Sequence, residues 1–240
     1  MTQARIGVGR RAAAFVLAAG LFVAGPPARA AGIDPKIGVD TALVLAVDVS
    51  SSVDEERFRL QMEGIARALE DPAIQKAILG GARGAVAITL VQWSDRQSVT
   101  IPWMRVASRD DAYRLAATVR NAPRRPGDFT CAGAMLHFAA AKLRATLAFE
   151  ADRFVVDVSG DGRDNCNSAV PPAAERDALV AMDTTVNGLP ILEGDEKATL
   201  EDWYRRNIQG GPASFVVPAD GYRDFGRAIR QKFLTEVSAR

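Results

Sequence analysis

Strand-like and helix-like patterns alternate along this chain from about residue 41 to its end, and this alternation constrains the fold more than any other feature. Apolar runs at 41–48 and 153–159 are typical of buried strands, whereas residues 54–70 repeat apolar side chains at helical spacing. Strands that alternate with helices imply parallel βαβ units. We therefore predict an α/β fold, a three-layer Rossmann-like sandwich around a mostly parallel central sheet.

The same patterns place the other elements of this sandwich. A second buried strand at 85–93 is followed by a short strand at 98–103, which is close enough to pair with it as one antiparallel edge strand. The remaining predicted elements are helices at 109–121, 131–147, 172–182, 196–207 and 221–237, and strands at 184–191 and 213–217. Ligands of parallel sheets bind beyond the carboxyl ends of the strands, so polar residues that follow strands are the first candidates for a site.

The first 30 residues have the composition of a secretory signal peptide. Arg5, Arg10 and Arg11 precede an apolar run at 12–24, and the small residues at 28 and 30 provide a cleavage site. The apolar run is shorter than the about 20 residues that span a bilayer, which disfavours an uncleaved anchor. We predict export to the periplasm or to the medium, by either the general secretory or the twin-arginine route.

Cleavage of that segment would leave a single domain of ordinary size. Of the 240 residues, 31–38 would form a short linker and 39–240 one domain. The full chain has a formal charge of +1, and loss of the four arginines in the signal segment would change this charge to −3. A slightly acidic surface argues against nucleic acid as a partner, and no later segment is apolar enough to span a membrane.

Side chains with oxygen donors follow two buried strands and precede one helix. Asp48, Ser50 and Ser52 come at the end of the first strand, Asp161 follows a later strand, and Thr130 lies at the start of the helix between them. These are hard oxygen donors, which suit Mg²⁺, Ca²⁺ or Mn²⁺ rather than metals that favour nitrogen and sulfur. The sequence therefore predicts a divalent-cation site at the carboxyl edge of the sheet.

This arrangement resembles the von Willebrand factor A (vWA) domain with its metal-ion-dependent adhesion site. The shared features are Asp-x-Ser-x-Ser after the first strand, a threonine at the start of a middle helix and Asp-Gly after a later strand, and they span about residues 39–237. The resemblance implies direct contacts to the ion from four of the five side chains and a largely water-mediated contact from Asp161. It also implies an open coordination position that a carboxylate of a protein partner fills, with Mg²⁺ as the preferred ion and Ca²⁺ or Mn²⁺ as alternatives.

Other segments refine this resemblance. Residues 187–191 and 210–213 resemble an exported bacterial subgroup of these domains whose function is uncharacterised. The threonine loop departs from the usual family pattern, because it reads Gly-Asp-Phe-Thr at 127–130. The later motif also departs, because Gly160 stands before Asp161 where the family often has threonine.

Three of the five candidate ligands also have an ordinary structural explanation. Ser52 and Glu55 have the spacing of a capping box, and Thr130 could cap the helix that follows it. Asp161 and the glycine after it are common in turns. The metal site is preferred because these residues coincide at matching ends of strands and helices.

Each catalytic function that the sequence suggests lacks a residue that its chemistry needs. Phosphatases with an acidic loop need Asp-x-Asp after the first strand, but the second position here is Ser50. The only histidine, His137, lies within a predicted helix beside alanines, where nothing indicates a catalytic base. We therefore predict a binding module that is not an enzyme; a metal-dependent hydrolase or phosphatase and a metal-free structural subunit are the alternatives.

The two cysteines follow two of the three candidate ligand loops. Cys131 comes directly after Thr130, and Cys166 lies five residues after Asp161. Export to an oxidising compartment favours a disulfide between them, which would hold both loops in register before metal binds. Two free buried thiols are the alternative.

A polar stretch beside the candidate site offers contacts to a partner. Arg163, Asp164 and Asn165 come directly after the Asp-Gly pair, and loops on a rigid scaffold commonly carry recognition. A solvated turn explains these residues equally well.

Overall fold

The computed structural model of the chain describes residues 1–2, 37–166 and 169–238. Its contacts divide the chain into two units, Met1–Pro35 and Lys36–Arg240, and the second unit contains the folded domain. The predicted signal peptide and most of the predicted linker lie outside the described residues. Within the described ranges, no helix has the length and apolar character needed to cross a membrane.

A five-stranded sheet forms the centre of the domain. The strands are β1 (Gly38–Asp48), β2 (Val86–Trp93), β3 (Gln97–Val106), β4 (Glu150–Gly160) and β5 (Thr184–Pro190). Their spatial order is β3-β2-β1-β4-β5, and every neighbouring pair is parallel except β2 with β3. The predicted mostly parallel sheet with one antiparallel edge strand is therefore confirmed, and β1 is its middle strand.

Helices cover both faces of this sheet. They are α1 (Glu55–Glu70), α2 (Pro72–Leu79), α3 (Arg109–Arg120), α4 (Ala132–Phe138), α5 (Pro172–Val180), α6 (Lys197–Asn207) and α7 (Phe225–Ser238). Alternate residues of β1 point to opposite faces. Leu43 and Leu45 pack in one core with α1, α2, α3 and α7, whereas Ala42 and Val44 pack in a second core with α4, α5 and α6. The three-layer architecture predicted from the sequence is confirmed.

Three elements differ from their sequence-based predictions. Residues 213–217 form one isolated bridge to β5, at Val216, rather than a strand, because Pro190 of β5 has no N–H to continue the pairing and the Phe215 N–H donates to the Asn187 side chain. The helix predicted at 131–147 divides into α4 and a π-helical turn at Ala139–Leu143. Helix α2 was not predicted, although Asp71 caps it and a proline occupies its first turn.

A cluster of buried charged side chains joins α7 to the sheet. Lys232 of α7 is fully buried, and its Nζ lies 3.1 Å from Asp157 Oδ1 and 3.4 Å from Glu236 Oε1. Asn187 of β5 donates a hydrogen bond to Glu236 Oε1 at 2.8 Å. Burial, with the neighbouring Asp157 carboxylate, raises the pKa of Glu236 well above its usual range. Lys232 is thus the ion-pair partner of Asp157. The sequence indicates that Asp157 lies in a buried strand but does not indicate its partner.

Candidate metal centre

Three loops meet at the carboxyl edge of the sheet. Asp48 is the last residue of β1, and Asp161 directly follows β4, the parallel neighbour of β1. Thr130 lies just before α4, in the loop that leads into that helix. Ser52, Thr130 and Asp161 line one open cavity of about 390 Å³ at this edge. The structure therefore brings the three predicted ligand loops together where the crevice rule expects a ligand.

Hydrogen bonds connect four of the five predicted ligands. Asp48 Oδ1 accepts a hydrogen bond from the Ser50 backbone N–H at 2.8 Å. The hydroxyl oxygens of Ser50 and Ser52 are 3.2 Å apart, and the Ser52 hydroxyl donates to Asp161 Oδ1 at 2.6 Å. These contacts bring oxygen atoms from the β1 and β4 loops within reach of one ion.

The helix-capping explanation of Ser52 and Thr130 is wrong. Helix α1 begins at Glu55, and its cap is Asp54, whose carboxylate accepts a hydrogen bond from the Arg57 N–H at 2.8 Å. Helix α4 follows Cys131, and no side chain at its cap position accepts a hydrogen bond from the helix. The hydroxyls of Ser52 and Thr130 therefore have no capping role that would account for their positions.

The carboxylate of Asp48 is held in a costly environment. Asp48 is fully buried, and its Oδ2 has no hydrogen-bond partner. Burial, together with the nearby charge of Asp161, raises the pKa of Asp48 to about 7. A buried carboxylate oxygen without a partner is unfavourable, and a bound cation would offset both the burial and the repulsion.

The backbone of β4 passes very close to this orphaned oxygen. A Cβ atom at Gly160 would lie 2.7 Å from Asp48 Oδ2, so only glycine fits without displacing the carboxylate. This contact explains why the chain has glycine before Asp161, where the resemblance led us to expect threonine.

The donor set fits a divalent cation. It contains two carboxylates and three hydroxyls, which are ligands that Mg²⁺, Ca²⁺ and Mn²⁺ accept. Within the described ranges, no group of three or more His, Cys, Asp or Glu side chains is placed to hold a metal. Any ion at this edge would therefore depend on Ser50, Ser52 and Thr130 as well as on the two aspartates.

Comparison with known protein families identifies the family of this chain. Residues 38–240 match the family described as "Protein of unknown function (DUF1194)". The chain belongs to the DUF1194 family. No curated protein matches it.

Solved structures show which fold this DUF1194 chain has. It is similar to proximal thread matrix protein 1 from the mussel byssus, in a structure whose description records a zinc-occupied MIDAS motif: TM-score 0.59, 18% identity, 85% of this chain and 48% of that chain covered. It is also similar to a von Willebrand factor type A protein from Catenulispora acidiphila, with TM-score 0.55, 14% identity and coverage of 84% and 42%.

A third similar structure is the pilus adhesin SpaC from Lactobacillus rhamnosus GG in an open conformation: TM-score 0.55, 14% identity, 85% and 31% coverage. The DUF1194 chain spans less than half the length of each of these proteins. At such identities the likeness establishes the fold, and the fold is that of a vWA domain.

The predicted partner-contact residues make contacts within this domain. Asp164 Oδ2 accepts a hydrogen bond from the Gly133 N–H at 3.0 Å, and Asn165 Oδ1 accepts one from the Thr130 N–H at 2.8 Å. The Arg163 guanidinium donates to the Thr199 hydroxyl. All three side chains also line the cavity, so a partner role for them stays a prediction.

Arg57, Glu193 and Glu196 also line the cavity, and the sequence patterns did not indicate them. Arg57 donates to Glu193 Oε1 at 2.7 Å and to the Ser52 carbonyl oxygen. Glu196 Oε2 accepts a hydrogen bond from the Arg163 backbone N–H at 2.7 Å. The acidic run at 193–196 comes shortly after the carboxyl end of β5, so the crevice rule applied to that strand could have found it.

The predicted disulfide is present. Cys131 and Cys166 are paired, with Cα atoms 5.1 Å apart, and the chain has no other cysteine. The bond joins the residue directly after Thr130 to the loop that follows Asp161. It therefore links two of the three candidate ligand loops, as the positions of the cysteines indicated.

Cation affinity is expected to fall as the pH decreases below about 7. Because the pKa of Asp48 is raised to about 7, an ion that binds this carboxylate must displace a proton at lower pH. We expect the affinity for Mn²⁺, measured by isothermal titration calorimetry, to fall up to about tenfold per pH unit below pH 7 and to level off above it.

The stability of the metal-free protein should change in the opposite direction. The folded state binds the Asp48 proton more tightly than the unfolded state, whose pKa is near the ordinary 3.8. This contribution to stability is therefore present below that pKa and is lost as the pH rises through about 7. An Mn²⁺ affinity that is constant across pH 7 would contradict the raised pKa.

Proposed function

We propose that this protein is an exported vWA-like binding module that uses a divalent cation to engage a carboxylate on a protein partner. The ion would be held by Asp48, Ser50, Ser52, Thr130 and Asp161. The observation that carries the proposal is the buried, unpartnered Oδ2 of Asp48, which lies near a second carboxylate in an otherwise hydrogen-bonded cluster. A cation is the simplest group that satisfies this oxygen and both charges.

The shape of the cavity leaves room for a ligand on the bound ion. Ser52, Thr130 and Asp161 line an open cavity, so an ion bound to them would keep a coordination position that faces solvent. Arg57 and Arg163 line the same cavity, but five acidic side chains line it too, so its charge favours a cation: Asp161, Asp164, Glu193, Asp195 and Glu196. Glu193 and Glu196 accept hydrogen bonds from Arg57 and from the Arg163 backbone N–H, so a carboxylate of a partner would bind chiefly through the ion.

Donor chemistry restricts the class of ion. Hard oxygens suit Mg²⁺, Ca²⁺ and Mn²⁺, and the resemblance to vWA domains is the reason to prefer Mg²⁺. The zinc-occupied MIDAS motif recorded for the mussel byssus protein adds Zn²⁺ to the ions worth testing, although oxygen donors alone would not favour it.

Export is supported by two observations of different kinds. The composition of residues 1–30 is that of a secretory signal, and the disulfide between Cys131 and Cys166 is typical of oxidising compartments. The descriptions of two similar structures, a byssus matrix protein and a pilus adhesin, agree with a binding role outside the cytoplasm. Both a periplasmic and a released protein would be consistent with these observations.

An enzymatic role has less support. His137, the only histidine of the chain, is largely exposed and lies 3.0 Å from Glu175, and it does not line the cavity. A hydrolase at this site would therefore lack an imidazole base, and the nearby carboxylates of Glu193 and Glu196 are hydrogen-bonded to Arg57 and to the Arg163 backbone.

The experiment that tests the proposal measures cation binding by the mature protein. The melting temperature after chelation should rise on addition of Mg²⁺, Mn²⁺, Ca²⁺ or Zn²⁺, and a crystal soaked in Mn²⁺ should show an anomalous peak beside Ser50 and Ser52. If none of these ions changes the melting temperature and no peak appears, the site is a metal-free structural feature and the proposal is wrong.

A further inference from the structure

The loop at 161–166, which follows β4, forms hydrogen bonds with both the N–H and the carbonyl oxygen of Thr130. The Thr130 N–H donates to Asn165 Oδ1 at 2.8 Å, and the Asn165 N–H donates to the Thr130 carbonyl oxygen at 3.0 Å. Asn165 therefore satisfies both backbone polar groups of Thr130, one of them with its side chain.

The same loop also holds the first turn of α4. Asp164 Oδ2 accepts a hydrogen bond from the Gly133 N–H at 3.0 Å, at a helix start that has no cap of its own. A Cβ atom at Gly133 would lie 2.0 Å from the Val170 carbonyl oxygen, so the chain after this loop packs directly on the turn. Negative charge at the start of a helix is also favourable.

The disulfide adds a covalent link at the residue between these two contacts. Cys131 lies between Thr130 and the first residues of α4, and it is bonded to Cys166 of the 161–166 loop. Thr130 Oγ1 would lie 3.5 Å from a Cβ atom at Gly162, so its hydroxyl faces the start of that loop. One loop thus carries Asp161 and sets the position of Thr130.

We propose that Asn165 and Asp164 are positioning residues that, with the disulfide, hold Thr130 where it can bind the cation. This inference rests on the proposed function and assigns these two side chains to the metal site rather than to partner contact. Without the 161–166 loop contacts, the Thr130 loop would have to be ordered by the ion itself, and the lost conformational freedom would weaken binding.

The decisive variants change only the side-chain acceptor at position 165. Asn165→Ala removes the oxygen that accepts the Thr130 N–H, and we expect Mn²⁺ affinity measured by calorimetry to fall about 10- to 100-fold. Asn165→Asp retains an acceptor oxygen and should stay much closer to wild type. Asn207→Ala is the matched control, because Asn207 lies at the far end of α6 and its side chain bonds the Trp203 carbonyl oxygen.

Reduction tests the covalent part of the proposal separately. Wild-type protein with the Cys131–Cys166 bond reduced should bind Mn²⁺ more weakly than the oxidised protein, and the loss should be larger when Asn165→Ala is combined with reduction. A merely structural role would instead lower the melting temperature of the metal-free protein and leave Mn²⁺ affinity unchanged.

The outcomes separate this inference from the proposed function. If wild type binds Mn²⁺ and Asn165→Ala binds it equally well, or if Asn165→Asp loses as much affinity as Asn165→Ala, the positioning role is overturned and the metal site stands. If wild type binds no Mn²⁺, both fail. If Asn165→Ala does not fold, hydrogen exchange of metal-free wild type decides: fast exchange of the Thr130 and Gly133 amides overturns the positioning role, and protection supports it.

Discussion

Asp48→Asn is expected to lower the affinity for Mn²⁺ at least about 100-fold and to leave the protein folded. The change retains an oxygen that can accept the Ser50 N–H but removes the charge on the only fully buried carboxylate among the five donors. A direct ligand should cost more than the about 10- to 100-fold loss typical of residues that only orient ligands. Asp48→Ala removes the whole carboxyl group, and it should abolish the stabilisation of the protein by cations.

The metal-free form of Asp48→Asn provides a second readout. In wild type, burial and repulsion from Asp161 oppose ionisation of Asp48 at neutral pH. The variant has no such charge, so its metal-free melting temperature should match or exceed that of wild type at pH 7 and above. Thermal melting with chelator and with Mn²⁺ measures both effects.

The control for this experiment lies in the same loop. Ser51 is exposed and lines the cavity but is not one of the five donors, so Ser51→Ala should keep the full response to Mn²⁺. A cation response that persists in Asp48→Asn, or that disappears in Ser51→Ala, would contradict the assignment of the ligands.

Lys232→Met is expected to destabilise the fold by about 3–5 kcal/mol, the range measured when one partner of a buried ion pair is removed. Lys232 is fully buried between Asp157 and Glu236, and its Nζ lies 4.8 Å from the centre of the Phe215 ring. Methionine fills similar space but leaves the carboxylate of Asp157 buried without a cation. Urea denaturation of the metal-free protein measures the loss.

Two further variants identify the cause of this loss. Lys197→Met removes a lysine from an exposed ion pair, 2.6 Å from Asp220, and should change stability by no more than about 1 kcal/mol. Asp157→Asn combined with Lys232→Met removes both charges and should recover a substantial part of the loss. If the double variant is no more stable than Lys232→Met alone, the uncompensated Asp157 charge is not the cause.

Much of the fold was predictable because it depends on patterns close together in sequence. The continuous apolar run of β1, the helical spacing of α1 and the hairpin of β2 with β3 are local signals, and each predicted the element that the structure contains. The failures have local causes too. Pro190 of β5 lacks the N–H that would extend pairing with 213–217, and α2 follows α1 after a single residue, so the two helices have no linker that would separate them.

The same distinction between local and long-range information applies to the candidate metal site. The sequence by itself determined the types of donor and the edge of the sheet where they meet, because parallel strands bring their carboxyl ends together whatever the details of the loops. It also determined which two cysteines were available to link the ligand loops.

Only the tertiary structure decided how those residues are used. It shows that Ser52 bonds to Asp161, 109 positions away, instead of capping its own helix, and that Asp48 Oδ2 has no partner. It also turns Asn165 toward Thr130 and places Lys232 beside Asp157. These contacts join residues from separate elements, and their geometry depends on how loops and helices pack, which no local pattern of residues encodes.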